Sequence, residues 1–175
     1  MNTDVINAWA RSDHPEKASR GHVLLNEMMD RYRAGDLTLR PDPLVLAVLL
    51  KSCARTAKRN RQDGGQSKAE NRKVLRLALQ TLETLEEGEF GPPNDVAYAT
   101  ALEAINRLTG TLQQREELLG SVFQRCAARG LVSNSVMAEM NQGGSLRLFL
   151  RLTDGKNQLE TNWSEKVSPK HRPKS

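Results

Sequence analysis

Apolar residues return every three to four positions along most of the first 142 residues, the period of helices that bury one face. Residues 2–12 place Val5, Ile6 and Trp9 on one side. Residues 15–34 carry Ala18, Val23, Leu25, Met28, Met29 and Tyr32, with Pro15 suited to the start and Gly35-Asp36 to the end. The third segment, 42–60, differs. Leu44 to Leu50 is almost unbroken apolar sequence, too rich for a surface helix, so it is expected to be covered on more than one side. Asp42 suits its N-cap and Pro43 its first helical position, where no amide donor is needed. Residues 61–67 form a loop broken by Gly64-Gly65. A long amphipathic helix over 67–87 follows, then a turn at 88–94 and helices at 95–108 and 111–129. A short capping helix is expected at 134–142. After Gly143-Gly144 the period changes. Residues 145–152 alternate Leu with Arg or Phe, which predicts a strand or extended arm, and 153–175 read as a mobile polar tail.

The helices fall into pairs, and the first helices align. Val5-Ile6-Asn7-Ala8-Trp9-Ala10 matches Leu49-Leu50-Lys51-Ser52-Cys53-Ala54 and Ala101-Leu102-Glu103-Ala104-Ile105-Asn106, at spacings of 44 and 52 residues. Pro41-Asp42 precedes the second unit and Pro93-Asn94 the third. Self-similarity of this kind predicts an all-α fold, an α-solenoid of stacked antiparallel hairpins. Residues 1–142 would hold three hairpins and the capping helix, and 143–175 the extended arm and flexible basic tail.

Charge sharpens this picture. Residues 1–80 hold 15 Lys/Arg against 9 Asp/Glu, residues 81–160 hold 7 against 11, and the last fifteen hold 4 against 1. A basic first half and tail point to a polyanionic partner, although basic faces also serve solubility. Lys51, Arg55, Lys58 and Arg59 stand at i, i+4, i+7 and i+8 on the third helix, a narrow basic arc. Aromatics make up only 4% of the chain, too few for a base-stacking sheet.

VINAWARS, then Ala18, Leu24-Leu25, Met28, Gly35 and Arg40-Pro41-Asp42, resembles the pentatricopeptide repeat. The long hairpin end RYRAGDLTLRPD and the Ala-Trp-Ala first helix are similar to the variant in diatoms and related algae, and Asn162-Trp163-Ser164 resembles a closing segment of that group. The resemblance covers about residues 1–140. It implies a solenoid that binds single-stranded RNA, one base per repeat, in organellar RNA metabolism. Carried over by position, the early-helix base readers are Thr3, Ala47 and Ala99. The repeat-end readers are Asp42, Asn94 and Asn134, and Leu44 and Val96 wedge against the base. Lys51, Arg55, Lys58 and Arg59 would contact phosphates. Ala47 and Ala99 depart from the family, which carries hydrogen-bonding side chains there. Only Thr3 with Asp42 keeps a competent pair, one that favours guanine in the family. Asp42 and Asn94 are equally well read as helix caps. The resemblance implies a mitochondrial or plastid location. No transit-peptide pattern is visible in the first twenty residues, which leaves a cytoplasmic one open.

The alternative partner is a protein, an acidic or amphipathic peptide held in the manner of tetratricopeptide arrays. No enzyme chemistry is expected: His14, His22 and His171 lack ligand or triad neighbours and read as surface residues, and there is no phosphate loop. Cys53 and Cys126 read as buried thiols, neither a disulfide nor a metal site. No cofactor and no membrane span are expected.

Overall fold

The computed structural model describes residues 3–62 and 68–152, with side chains except at positions 57–62, 146, 149 and 150. The described residues are mostly helical and contain no β-strand. The helices are α1 (Thr3–Arg11), α2 (Lys17–Arg33), α3 (Pro43–Gln62), α4 (Lys68–Glu87), α5 (Asp95–Leu108), α6 (Leu112–Ala128), α7 (Asn134–Gly143) and α8 (Leu146–Leu152). A 3-10 turn, Leu37–Leu39, lies between α2 and α3.

Local chemistry sets the boundaries. The Asp42 carboxylate accepts from the Leu44 amide at 2.8 Å, Asn94 Oδ1 from Ala97 at 2.8 Å, and Ser133 Oγ from Val136 at 3.4 Å. Each satisfies an amide that the first turn leaves unpaired. Helices α2 and α6 end alike. Gly35 (φ 108°) and Gly130 (φ 66°) adopt the left-handed region that glycine tolerates best. Asp36 donates back to Arg31 and Leu131 to Cys126, closing the same C-terminal motif twice.

The chain divides into two compact units, Met1–Pro93 and Asn94–Ser175. In the first, α1 packs on α2 and α3, and α2 packs on α3 and α4, with α3 against α4. Ile6, Val45, Leu46, Leu49, Leu50, Ala78 and Leu82 are sealed inside, so α3 is covered as its apolar run requires. The loop after α4 is fastened within the same unit. Phe90 is buried edge-on to Tyr32, Glu89 pairs with Arg33 at 2.6 Å, and Gly91 (φ 114°) lies against the Pro43 ring.

In the second unit α5 packs on α6 and α7, α6 on α7, and α8 on α6. As α1 packs on α3 in the first unit, α5 packs on α7 here. The strand or extended arm expected at 145–152 is a helix instead. A lone strand would leave its backbone groups unpaired, whereas a helix pairs them internally. Ser145 Oγ accepts from the Leu148 amide at 3.3 Å, and Leu148 is buried at Gly120 of α6. The tail expected over 153–175 lies outside the described residues, as does most of the 61–67 loop.

Candidate nucleic-acid interface

The sequence-predicted site residues lie on the first helix of each pair. At their N-terminal ends Leu44 and Val96, the two wedge candidates, are 60% and 59% exposed. Two branched apolar side chains held in water at equivalent positions do not serve the core. Beside them, Asp42 and Asn94 each commit one side-chain oxygen to capping. The cap leaves Asp42 Oδ2 and the Asn94 amide group for other partners. At the third junction Ser133 is the cap, so Asn134 stands one residue past the register of Asp42 and Asn94. Thr3 opens α1 half-buried, Ala47 is half-buried and Ala99 is 9% exposed. Neither alanine carries a hydrogen-bonding group.

Further along α3, Lys51 and Arg55 are exposed one turn apart, and neither is ion-paired to a described residue. Lys58 and Arg59 continue the arc on the α3 backbone, with their side chains outside the described residues. The spacings of 44 and 52 residues add two positions that reading of the arc alone passed over. Arg11 and Arg107 share the register of Arg55, and Arg11 is exposed at the end of α1.

The second unit departs from this basic pattern. Glu103 stands where α3 has Lys51 and binds Arg107 at 2.6 Å, both side chains about two-thirds buried. A second carboxylate adjoins them. Glu139 of α7 accepts from Asn106 Nδ2 at 3.0 Å, and Asn106 also reaches the Glu139 carbonyl at 2.9 Å. Burial pushes the Glu139 carboxyl above its usual range; Asn106 and Arg107 oppose this, and the Glu103 charge adds to it. Asn106 takes the register of the buried alanines Ala10 and Ala54 and fits because α7 has a glycine opposite. A Cβ at Gly143 would stand 1.6 Å from Asn106 Oδ1.

On the second helices of the first unit, a groove of about 270 Å³ is lined by His22, Leu25, Met29, Thr81, Glu83 and Glu87, among others. His22 is not the surface residue expected from sequence. It is 5% exposed, with Nδ1 2.7 Å from the Ala18 carbonyl and Nε2 2.6 Å from Thr81 Oγ1. Burial lowers its pKa, partly offset by the Ala18 and Leu77 carbonyls. His14 is exposed and edge-on to Trp9. Cys53 and Cys126 are buried as expected, and burial pushes the Cys53 thiol up to about 12, out of the nucleophilic range. Among the described residues no group of metal-ligating side chains gathers, and no helix is long and apolar enough to cross a membrane.

No protein-family model, curated protein or solved structure matches the chain.

Proposed function

We propose that this chain is a short pentatricopeptide-like α-solenoid that binds single-stranded RNA, in a mitochondrion or plastid. One observation carries the reading. Exposed Arg11, Lys51 and Arg55 recur in register on first helices, and exposed Leu44 stands at a capped helix N-terminus on the same element. Cations spaced along stacked helices suit a phosphate backbone, and an exposed apolar side chain suits an unstacked base. Thr3 with Asp42 is the pair best equipped to read a base. Ala47 and Ala99 are expected to tolerate any base, so backbone contacts dominate affinity.

Titration of the chain with a short single-stranded RNA at several salt concentrations tests this. Each phosphate contact contributes about 0.7 to the slope of log affinity against log salt. Lys51→Ala with Arg55→Ala is expected to weaken binding and flatten that slope by about 1.4. Affinity that ignores both salt and these substitutions would count against the proposal.

A protein partner is the second reading. The alanines at the reader positions favour it, as does the acidic rim of Glu83 and Glu87 on the groove beside His22. Recovery of a protein partner that survives nuclease treatment, without RNA binding by the purified chain, would favour it over the first.

A further inference from the structure

We infer that, on the first-helix face, phosphate contact is confined to the Met1–Pro93 unit, because Glu103 converts the equivalent face of the Asn94–Ser175 unit into one that rejects phosphate. The inference rests on the RNA-binding reading above and concerns which residues of that face can act.

Three first helices share one register. It holds Asn7 and Arg11 in α1, Lys51 and Arg55 in α3, and Glu103 and Arg107 in α5. In the first unit all three cations at these positions are exposed and unpaired with any described residue. In α5 the arginine is preserved but bound to the residue one turn before it, at 2.6 Å and with both partners about two-thirds buried. A Glu four residues before an Arg is the favourable order for a helical ion pair. The pair has no net charge, and Glu139 adjoins it through Asn106. The shift in Glu139 includes repulsion from Glu103 and attraction from Arg107, so all three groups share one local field. The patch therefore sets two carboxyl groups around one guanidinium, where the register of the first unit holds only cations and Asn7. To reach Arg107 a phosphate would have to displace one carboxylate and approach another. Both steps oppose the contact that Arg55 makes without competition.

Two first helices remain for RNA, which at one base per repeat is a contact of about two nucleotides. The first-helix face of the second unit then adds no phosphate contact of its own.

The test is a titration of the full chain with fluorescein-labelled oligouridylate, with the salt slope measured for each variant. Helicity and melting temperature serve as folding controls. Arg11→Ala and Arg55→Ala are each expected to flatten the slope by about 0.7, and Arg107→Ala to leave it unchanged. Glu103→Lys is expected to steepen the slope by about 0.7 or more and to tighten binding several-fold at low salt. Glu103→Gln, which removes the carboxylate paired with Arg107 without introducing a cation, should move both quantities in the same direction by less. An Arg107→Ala effect equal to that of Arg55→Ala overturns the inference while the RNA reading stands. The same holds if both Glu103 variants fold and bind like the unaltered chain. An unaltered chain that binds no RNA overturns the RNA reading itself, and this inference with it.

Discussion

At the scale of single residues, His22 joins the second helices of the first unit by counting protons. The Thr81 hydroxyl donates to the Leu77 carbonyl at 2.8 Å, and it has one proton to give. A charged His22 donates from both nitrogens, to Ala18 and to Thr81. A neutral His22 keeps the Nδ1 proton for Ala18 and needs the Thr81 proton at Nε2, which takes it from Leu77. Burial favours the neutral form, so the folded pKa lies below 6.5 while the unfolded chain keeps the ordinary value. Between the two values the unfolded state binds more protons, so stability rises with pH there. It is expected to fall as pH drops below about 6.5 and to level off beneath the folded pKa. Urea midpoints measured across that range should show the decline, and His22→Gln should flatten it.

Two glycines act through space rather than conformation. A Cβ on Gly21 would lie 2.4 Å from the Leu49 side chain, which is fully buried. Alanine normally favours a helix over glycine by about 1 kcal/mol. Here Gly21→Ala is expected to destabilise by about 1–3 kcal/mol, because overpacking outweighs propensity. Gly143→Ala should cost at least as much, since Asn106 and its bonds to Glu139 must move. Chemical denaturation decides the sign in both cases. Neither glycine announces its role in sequence, and His22 could not either: Thr81 lies 59 residues away. Arg11 and Arg107 were legible, because the repeat spacing that aligns the helices also aligns them.

At the scale of elements, the caps separate two roles that sequence leaves superimposed. Asp42→Ala and Asn94→Ala are each expected to cost about 0.5–2 kcal/mol of stability. Asn and Asp cap equally well, so Asp42→Asn should leave the melting temperature nearly unchanged. If Asp42 also reads a base, the same variant alters base preference, which competition between homopolymeric RNAs would report. Helices α3 and α5 were legible because apolar content, an unbroken run in α3, agrees with a capping residue on each. Helix α8 was not. Eight residues that alternate Leu with Arg or Phe fit a strand as well as two helical turns. What separates them is the partner, Gly120 of α6, which sequence does not place beside Leu148. Leu148→Ser is accordingly expected to loosen α8 from α6, with faster amide exchange over 146–152 than in α6.

At the scale of the molecule, the all-helical character was legible from the apolar period, and the division between Pro93 and Asn94 was not. The spacings treat the three aligned helices alike, whereas the contacts group α1 to α4 in one unit and α5 to α8 in the other. Charge does not follow the same division: residues 1–93 hold 15 Lys/Arg against 13 Asp/Glu, and residues 94–175 hold 11 against 8. The basic first eighty residues and the acidic eighty that follow were visible as totals. Their meaning at Lys51 and Glu103 emerges only when both stand in one register.

The fastening of the loop after α4 has a consequence for how such a chain can grow. Glu89, Phe90 and Gly91 are all secured to residues that precede them, at Arg33, Tyr32 and Pro43. The next helix starts from Asn94, which supplies its own cap. Between the last anchor and that cap stand only Pro92 and Pro93, which have no amide hydrogen to give. A splice there would sever none of the loop anchors and leave the cap of α5 in place. An insertion of a few Gly and Ser residues after Pro93 should leave the melting temperature within a few degrees of the unaltered chain. The same insertion after Glu89 should lower it markedly.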